Sequence, residues 1–472
     1  TSSKPASNGP MTVSTLTQKI SQVRLDTQRS DKFDQDDLVF DTCGSVLSGS
    51  KDALIKRLVP TKDFSPDSGY IFALLVNIRT FVPPNELMQK IVQYCMFSQN
   101  SDACNFAKEG RSKMFAHIFR LCSEWALNIP YDFRSEYMRT RLNELLRLCS
   151  VDNTYQQKVL DIQASLRNML NKLERYEKAV VNLQKTLAEN RNGPQQFDML
   201  TGLLNICPDS KTVARQLTHI ELERFSMVGV DEIIHCLEHD DLAEIGRNKN
   251  TEKGVSSISF YIDWFNRLSS FAAVEVLRHT KRKHRIQVVE FLIDVAKECC
   301  ELGNFNSMMA IVAGLSLPAV SRLKKTWCRV QKSKLEILQH QLDPSGNFLS
   351  YRATMKAAQW RADSSRDGLP KIVIPFFVLL LKDLFLIYHG TQRLLPNGHL
   401  NFFAFSQISS QLQDVVNWKM TPCTYEKNPP VLQYLLVTPI AGETDSLKMS
   451  FECEPADTSM EREQQKKLRT PK

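Results

Sequence analysis

The sequence predicts an all-α protein, and three observations carry that reading. Apolar residues recur three and four apart in segment after segment, from Leu54, Ile55 and Leu58 through to Asn401–Trp418. Period-two alternation is missing; Lys371–Val373, ahead of Pro375, is the one stretch that reads as a short extended piece. Capping residues and prolines punctuate the apolar segments at helical lengths. Ser50 opens Lys51–Leu58 and Pro60 follows it, while Ser68–Phe81 stops before Pro83-Pro84.

Taken in order, residues 1–44 are rich in Ser, Thr, Asp and Gln and read as a disordered arm. Ordered character is expected from about Ser45. Helices over Lys51–Leu58, Ser68–Phe81, Asn85–Phe97, Lys113–Leu127 and Arg134–Leu148 make a first helical domain, 45–150. Residues 155–190 contain neither Gly nor Pro, and Val159, Ile162, Leu166, Met169, Leu173, Tyr176, Val180, Leu183 and Leu187 form a heptad seam. Such a seam suits either a coiled-coil dimer or one long helix laid against its own chain. About five heptads, weakened by Asn168 and Asn171, favour the second and a monomer. This helix and a linker with Gly193-Pro194 fill 151–205. A second helical domain, 206–455, runs through Lys211–Phe225, Ser257–Thr280, Ile286–Leu302, Met308–Leu315, Cys328–Leu342, a helix from Ile374, and Asn401–Trp418. Residues 456–472 form a basic tail.

At 472 residues the chain is too long for one ordinary core, so two or three domains are expected. No stretch reaches the roughly 20 apolar residues of a bilayer span; the longest run, Ile372–Tyr388, is interrupted by Pro375, Lys382 and Asp383 and reads as a buried helix. Thr1–Pro10 is polar, unlike a secretory signal. The 12 cysteines show neither CxxC pairs nor zinc spacing, which points to a reducing compartment. A net charge of +8 is mild. Its densest run, Lys281–Arg285, reads as a solvated helix face, with a localisation or phosphate-binding patch as the alternative. No basic–aromatic interleaving supports nucleic-acid binding. Phosphate loops, GxSxG elbows and HExxH are all missing, so the chain reads as a helical protein acting on another macromolecule.

Three blocks in the second domain resemble the Ras-type guanine nucleotide exchange factors. One is Gly303-Asn304-Phe305-Asn306-Ser307-Met308-Met309-Ala310-Ile311 with Ser321-Arg322-Leu323-Lys324-Lys325-Thr326-Trp327 after it. Another is Ala214-Arg215-Gln216-Leu217-Thr218-His219-Ile220-Glu221. The third joins Ile374-Pro375-Phe376-Phe377 to Leu381-Lys382-Asp383-Leu384 and Leu395-Pro396-Asn397-Gly398-His399-Leu400-Asn401-Phe402. Upstream, Gly49–Leu54, Asp67–Phe81 and Ile129–Arg134 are similar to the N-terminal Ras exchanger motif that accompanies this catalytic core. The chain is most similar to the short RasGEF-domain-containing family member one group.

The resemblance implies an exchanger that strips nucleotide from a Ras-superfamily small GTPase, with the Rap branch favoured, by pressing a protruding helical hairpin against the switch and metal sites. It implies no cofactor and no bound metal. The hairpin's wedge falls on Phe385; His389-Gly390 stands where the family commonly has Glu-Gly, and Ser316 where it usually has Asn. Met309, Ser316, Arg322, Lys382, Asp383 and Tyr388 complete the expected GTPase-binding set. The expected location is the cytoplasm, with recruitment to membranes through the GTPase. Because His389 and Ser316 depart from the family pattern, the alternative is a weak or inactive adaptor that keeps the fold and binds without exchange.

Overall fold

A computed structural model describes residues 37–61, 64–101, 108–149, 153–191, 202–239, 256–364 and 372–469. The arm over 1–36 and the centre of the expected linker, 192–201, lie outside the described residues. No helix among the described residues is long and apolar enough to cross a membrane. Among the described residues the architecture is all-α, apart from one two-stranded antiparallel hairpin.

That hairpin pairs β1 (Leu38–Phe40) with β2 (Val46–Gly49). Its turn is made by Asp41, whose Oδ1 accepts the N–H groups of Cys43 and Ser45, both at 2.8 Å, and by Gly44 at φ +82°. Ordered structure therefore starts ahead of Ser45, inside the expected arm. The α-helices that follow among the described residues are α1 (Lys51–Leu58), α2 (Ser68–Asn77), α3 (Pro84–Ser101), α4 (Lys108–Asn128) and α5 (Glu136–Cys149), with 3-10 turns at Ile78–Thr80 and Pro130–Arg134. Ser50 caps α1 through Ala53 N–H and Asp67 caps α2 through Tyr70 N–H. Helix α2 is buried from Tyr70 to Asn77, as its nearly all-round apolar sequence requires.

The long helix is α6 (Asn153–Arg191). Its seam is buried within the chain at Val159, Ile162, Leu166, Leu173 and Val180. Then come α7 (Leu203–Ile206), α8 (Ser210–Phe225), α9 (Val230–Glu238), α10 (Ser257–Leu277), α11 (Arg282–Glu301) and α12 (Phe305–Ser316). Short α13 (Pro318–Ser321) and α14 (Lys324–Trp327) precede α15 (Ser333–Gln341) and α16 (Ser345–Asp363). Next come α17 (Phe377–Gly390) and α18 (Phe402–Lys419), the helices of the expected hairpin, followed by α19 (Pro429–Val437), α20 (Glu443–Cys453) and α21 (Ser459–Arg469). The expected helix from Cys328 begins five residues later, at Ser333. The expected tail contains α21, whose Glu461 pairs with Arg322 at 3.2 Å.

Two compact units emerge. The first draws on Thr1–Leu127, Asp132–Ile162 and Ile387–Ser410; the second on Asn128–Tyr131, Gln163–Leu386 and Gln411–Lys472. Within the first, the hairpin tip is packed against the N-terminal helices. Gly49 and Leu400 exchange backbone hydrogen bonds at 3.2 and 2.8 Å. Tyr70 stacks on Phe402 with centroids 4.6 Å apart. Asn77, fully buried, donates to Ser409 Oγ at 2.9 Å and accepts from Arg393 at 3.1 Å. The second unit is centred on α10, α11 and α12. Gly314 lets α12 approach α10 closely: a Cβ there would stand 2.2 Å from the Ser269 carbonyl oxygen.

Candidate functional site

The base of the hairpin grows from a buried polar node. Glu221, on α8, has no solvent exposure. Its carboxylate accepts from Trp264 Nε1 at 3.1 Å, Ser307 Oγ at 2.8 Å and Asn306 Nδ2 at 3.1 Å. Burial pushes its pKa upward, opposed by these hydrogen bonds. Asn304 caps α12 through Ser307 N–H and donates to Thr218 at 3.2 Å. Asn306 turns its carbonyl oxygen to Phe377 N–H, the first residue of α17, at 3.2 Å. The three sequence blocks are thus linked in series, through the Glu221 carboxylate and then the Asn306 amide.

Two further ties fix the start of α17. Ile374, the expected extended stretch's neighbour, bridges Asn304 in parallel. This close approach needs Gly303 at φ +79°, since a Cβ there would overlap the Ile372 carbonyl oxygen. Tyr351, on α16, accepts the Phe376 N–H at 2.8 Å. Next to it, Arg352 forms a two-pronged ion pair with Asp383 at 2.7 and 2.8 Å and donates Nε to the Asn347 carbonyl at 2.7 Å.

Along α17 the two faces differ. Phe377, Leu381, Leu384 and Tyr388 are buried, whereas Val378 and Leu386 are 43% and 54% exposed. Phe385 is half-buried beside Leu386; Lys382 and His389 are exposed. The His389 ring lies 5.1 Å from that of Tyr388. Tyr388 is engaged from its other side by the Arg393 guanidinium, 4.2 Å from the ring centroid.

The expected site residues separate into three sets. Phe385, Lys382 and His389 share the outward side of α17 or its end. Ser316 is exposed at the last turn of α12, its hydroxyl donating to Val312 O at 2.8 Å. Met309 is 1% exposed in the core, and Arg322 is taken up by Ser450, Glu454, Pro455 and Glu461 with its guanidinium 4.2 Å over Phe451. Neither of these two offers a free side chain to a partner. Asp383 and Tyr388 are likewise held by Arg352 and Arg393. Sequence reasoning missed Tyr351 and Arg352, because the first turn of α16 is interrupted by Gly346, Asn347 and Phe348 in left-handed backbone and gives a broken helical pattern.

Comparison with known proteins agrees with this layout. Residues 45–145 match the RasGEF N-terminal motif and residues 212–406 the RasGEF domain. The chain is 39% identical over 432 residues to Ras-GEF domain-containing family member 1B-A of Danio rerio, covering 90% of this chain and 84% of that protein. It is 37% identical over 444 residues to family member 1B of Homo sapiens, covering 91% and 93%. Against family member 1C of Mus musculus it is 36% identical over 428 residues, covering 90% and 91%. With both domains in order and these identities across most of its length, the chain belongs to the Ras-GEF domain-containing family of Ras-type exchange factors, regulators whose partner is a small GTPase.

Proposed function

We propose that this protein promotes GDP release from a Rap-branch GTPase by inserting the α17–α18 hairpin near the switch and metal sites. The observation that supports it most is the outward face of α17. Val378, Phe385 and Leu386 give this face its apolar surface, which they share with Lys382 and His389, on a helix whose other face is anchored by the Glu221 node and the Arg352–Asp383 pair. A rigid base and an apolar front suit a wedge, which must displace a switch without yielding itself. Phe385 in this reading supplies the bulk, Lys382 and Ser316 add polar contacts to the GTPase, and His389 takes the position where the departing phosphate's charge is replaced. In this reading residues 45–150 brace the hairpin, 151–205 connect, 206–455 carry exchange, and the protein works as a cytoplasmic monomer drawn to membranes by its GTPase. Burial of the α6 seam within the chain supports the monomer.

His389 and Ser316 favour a second reading, an adaptor that binds a GTPase without efficient exchange. Release of a fluorescent GDP analogue from a panel of Rap, Ras and Ral proteins separates the two. Acceleration on Rap above the others supports the first; binding without acceleration on any of them supports the second and ends the first.

A further inference from the structure

The basic run Lys281–Arg285 has no part in the hairpin. Its last member turns inward: Arg285 is 2% exposed and donates to Thr326 Oγ1 at 3.1 Å, to the His279 and Thr280 carbonyls at 3.0 and 2.6 Å, and to Glu454 at 3.3 Å. Glu454 also accepts the N–H groups of Lys325 and Thr326 at 3.0 and 2.9 Å. This buried node ties the start of α11 to α14. It gathers Lys281, Arg282 and Lys283 with Lys324, Lys325 and Arg329, all six exposed. None of the six has a carboxylate partner among the described residues, whereas Arg278, Arg285 and Arg322 nearby are all paired. The one exposed carboxylate in the joined segments 279–285, 324–329 and 450–455 is Glu452.

Fold stability does not account for this arrangement. Three of the cations stand at the first turn of α11, where the helix dipole is positive and no side chain caps the end. Like charges are thus held together against repulsion, which is relieved by an anionic surface outside the molecule. We propose that this patch docks the protein on an anionic lipid bilayer as a peripheral electrostatic contact. Lipid fits better than nucleic acid. Four of the six are lysines, point charges on long stems suited to a diffuse field rather than to forked phosphate recognition. No Phe, Tyr or Trp interrupts the 281–285 run to stack bases.

The inference is independent of exchange activity and is tested by co-sedimentation of the full chain with phosphatidylcholine vesicles, with and without phosphatidylserine. Binding is expected with phosphatidylserine alone and is expected to weaken as salt rises. Each cation near such a surface contributes about fivefold to partitioning. The triple variant Lys281→Glu, Arg282→Glu, Lys283→Glu should therefore lose at least about tenfold with its melting curve unchanged. The pair Lys324→Glu, Lys325→Glu should also bind more weakly, because both segments form one surface. Equal binding to neutral vesicles, or undiminished binding by either variant, overturns the proposal. So does tighter retention of an RNA or duplex DNA oligonucleotide than of phosphatidylserine vesicles at the same salt.

Discussion

Phe385 and His389 sit four residues apart on α17, so they share one side of the helix while doing different work. If the Phe385 ring is the wedge, Ala removes its bulk without touching the Glu221 node. Exchange is expected to fall at least about tenfold with the fold intact, since tenfold in rate is about 1.4 kcal/mol of barrier and a lost ring contact is worth that much. A carboxylate at position 389 would attract the phosphate-loop lysine of the GTPase, which an imidazole does not. His389→Glu is therefore expected to speed nucleotide release, and more so at low ionic strength. Release of a fluorescent GDP analogue from a Rap protein reads both; wild-type rates for Phe385→Ala would sink the wedge, and a silent His389→Glu only the electrostatic half. Glu221 acts on stability instead. Glu221→Ala would leave the Trp264, Asn306 and Ser307 donors buried without an acceptor, at a cost of about 3 kcal/mol or more. Chemical denaturation should show this loss, with Glu221→Gln losing less because its carbonyl oxygen still accepts.

At the scale of elements, a half-buried carboxyl ties α9 to α10. Glu232 accepts from Ser256 Oγ at 2.7 Å and Ile258 N–H at 3.1 Å, and burial pushes it up to about 7. A carboxyl with a raised folded pKa holds its proton more tightly when folded. Its stabilisation is complete below about 4.5 and declines as pH rises through about 7. Close by, Lys419 donates to the Val228 carbonyl at 2.8 Å and burial pushes it down to about 8. Its effect has the opposite sign and a separate window, with stability recovering as pH rises from about 8 towards 10.5. Glu232→Gln should flatten the melting-temperature profile in the lower window and leave the upper one; a profile unchanged below pH 7 would remove Glu232 from the account. What the sequence made legible follows the same physics. Ser50 announces its helix because a cap is a local matter between neighbouring residues. Met309 and Arg322 stand in the expected binding set through the family resemblance, and local pattern cannot test that, because α12 is buried along nearly its whole length and α13, which Arg322 caps, is only four residues long; the fold reveals that Met309 is core and that the Arg322 side chain has partners 128 or more residues away. The β1–β2 hairpin escaped for the converse reason, since strands of three and four residues are shorter than a reliable alternation.

For the molecule as a whole, the composition of the first unit decides how the N-terminal domain should behave. The tip of the hairpin, Ile387–Ser410, belongs to that unit rather than to the one holding most of the RasGEF domain. Leu400, Phe402 and Phe405 are 2%, 4% and 0% exposed there, and Leu400 completes its backbone pairing with Gly49. A chain beginning near residue 205 would lack Gly49, Tyr70, Asn77 and Phe81. Phe402 would lose the stacked Tyr70 ring and Phe405 the tilted Phe81 ring, and Arg393 and Ser409 would lose Asn77. Burying a Phe side chain contributes about 1.5–3 kcal/mol relative to leaving it exposed, so stripping two of them at the tip is a large fraction of a marginal stability. Residues 205–455 alone are accordingly expected to melt lower than residues 45–455, and to aggregate through the uncovered tip. Asn77→Ala within residues 45–455 should reproduce part of that loss, since it deletes the side-chain bonds to Ser409 and Arg393 while keeping the apolar cover and the backbone carbonyl that Arg393 also contacts. Differential scanning calorimetry of the three proteins side by side checks this. Equal melting temperatures for the long and short chains would show that the hairpin tip holds its shape without the N-terminal helices.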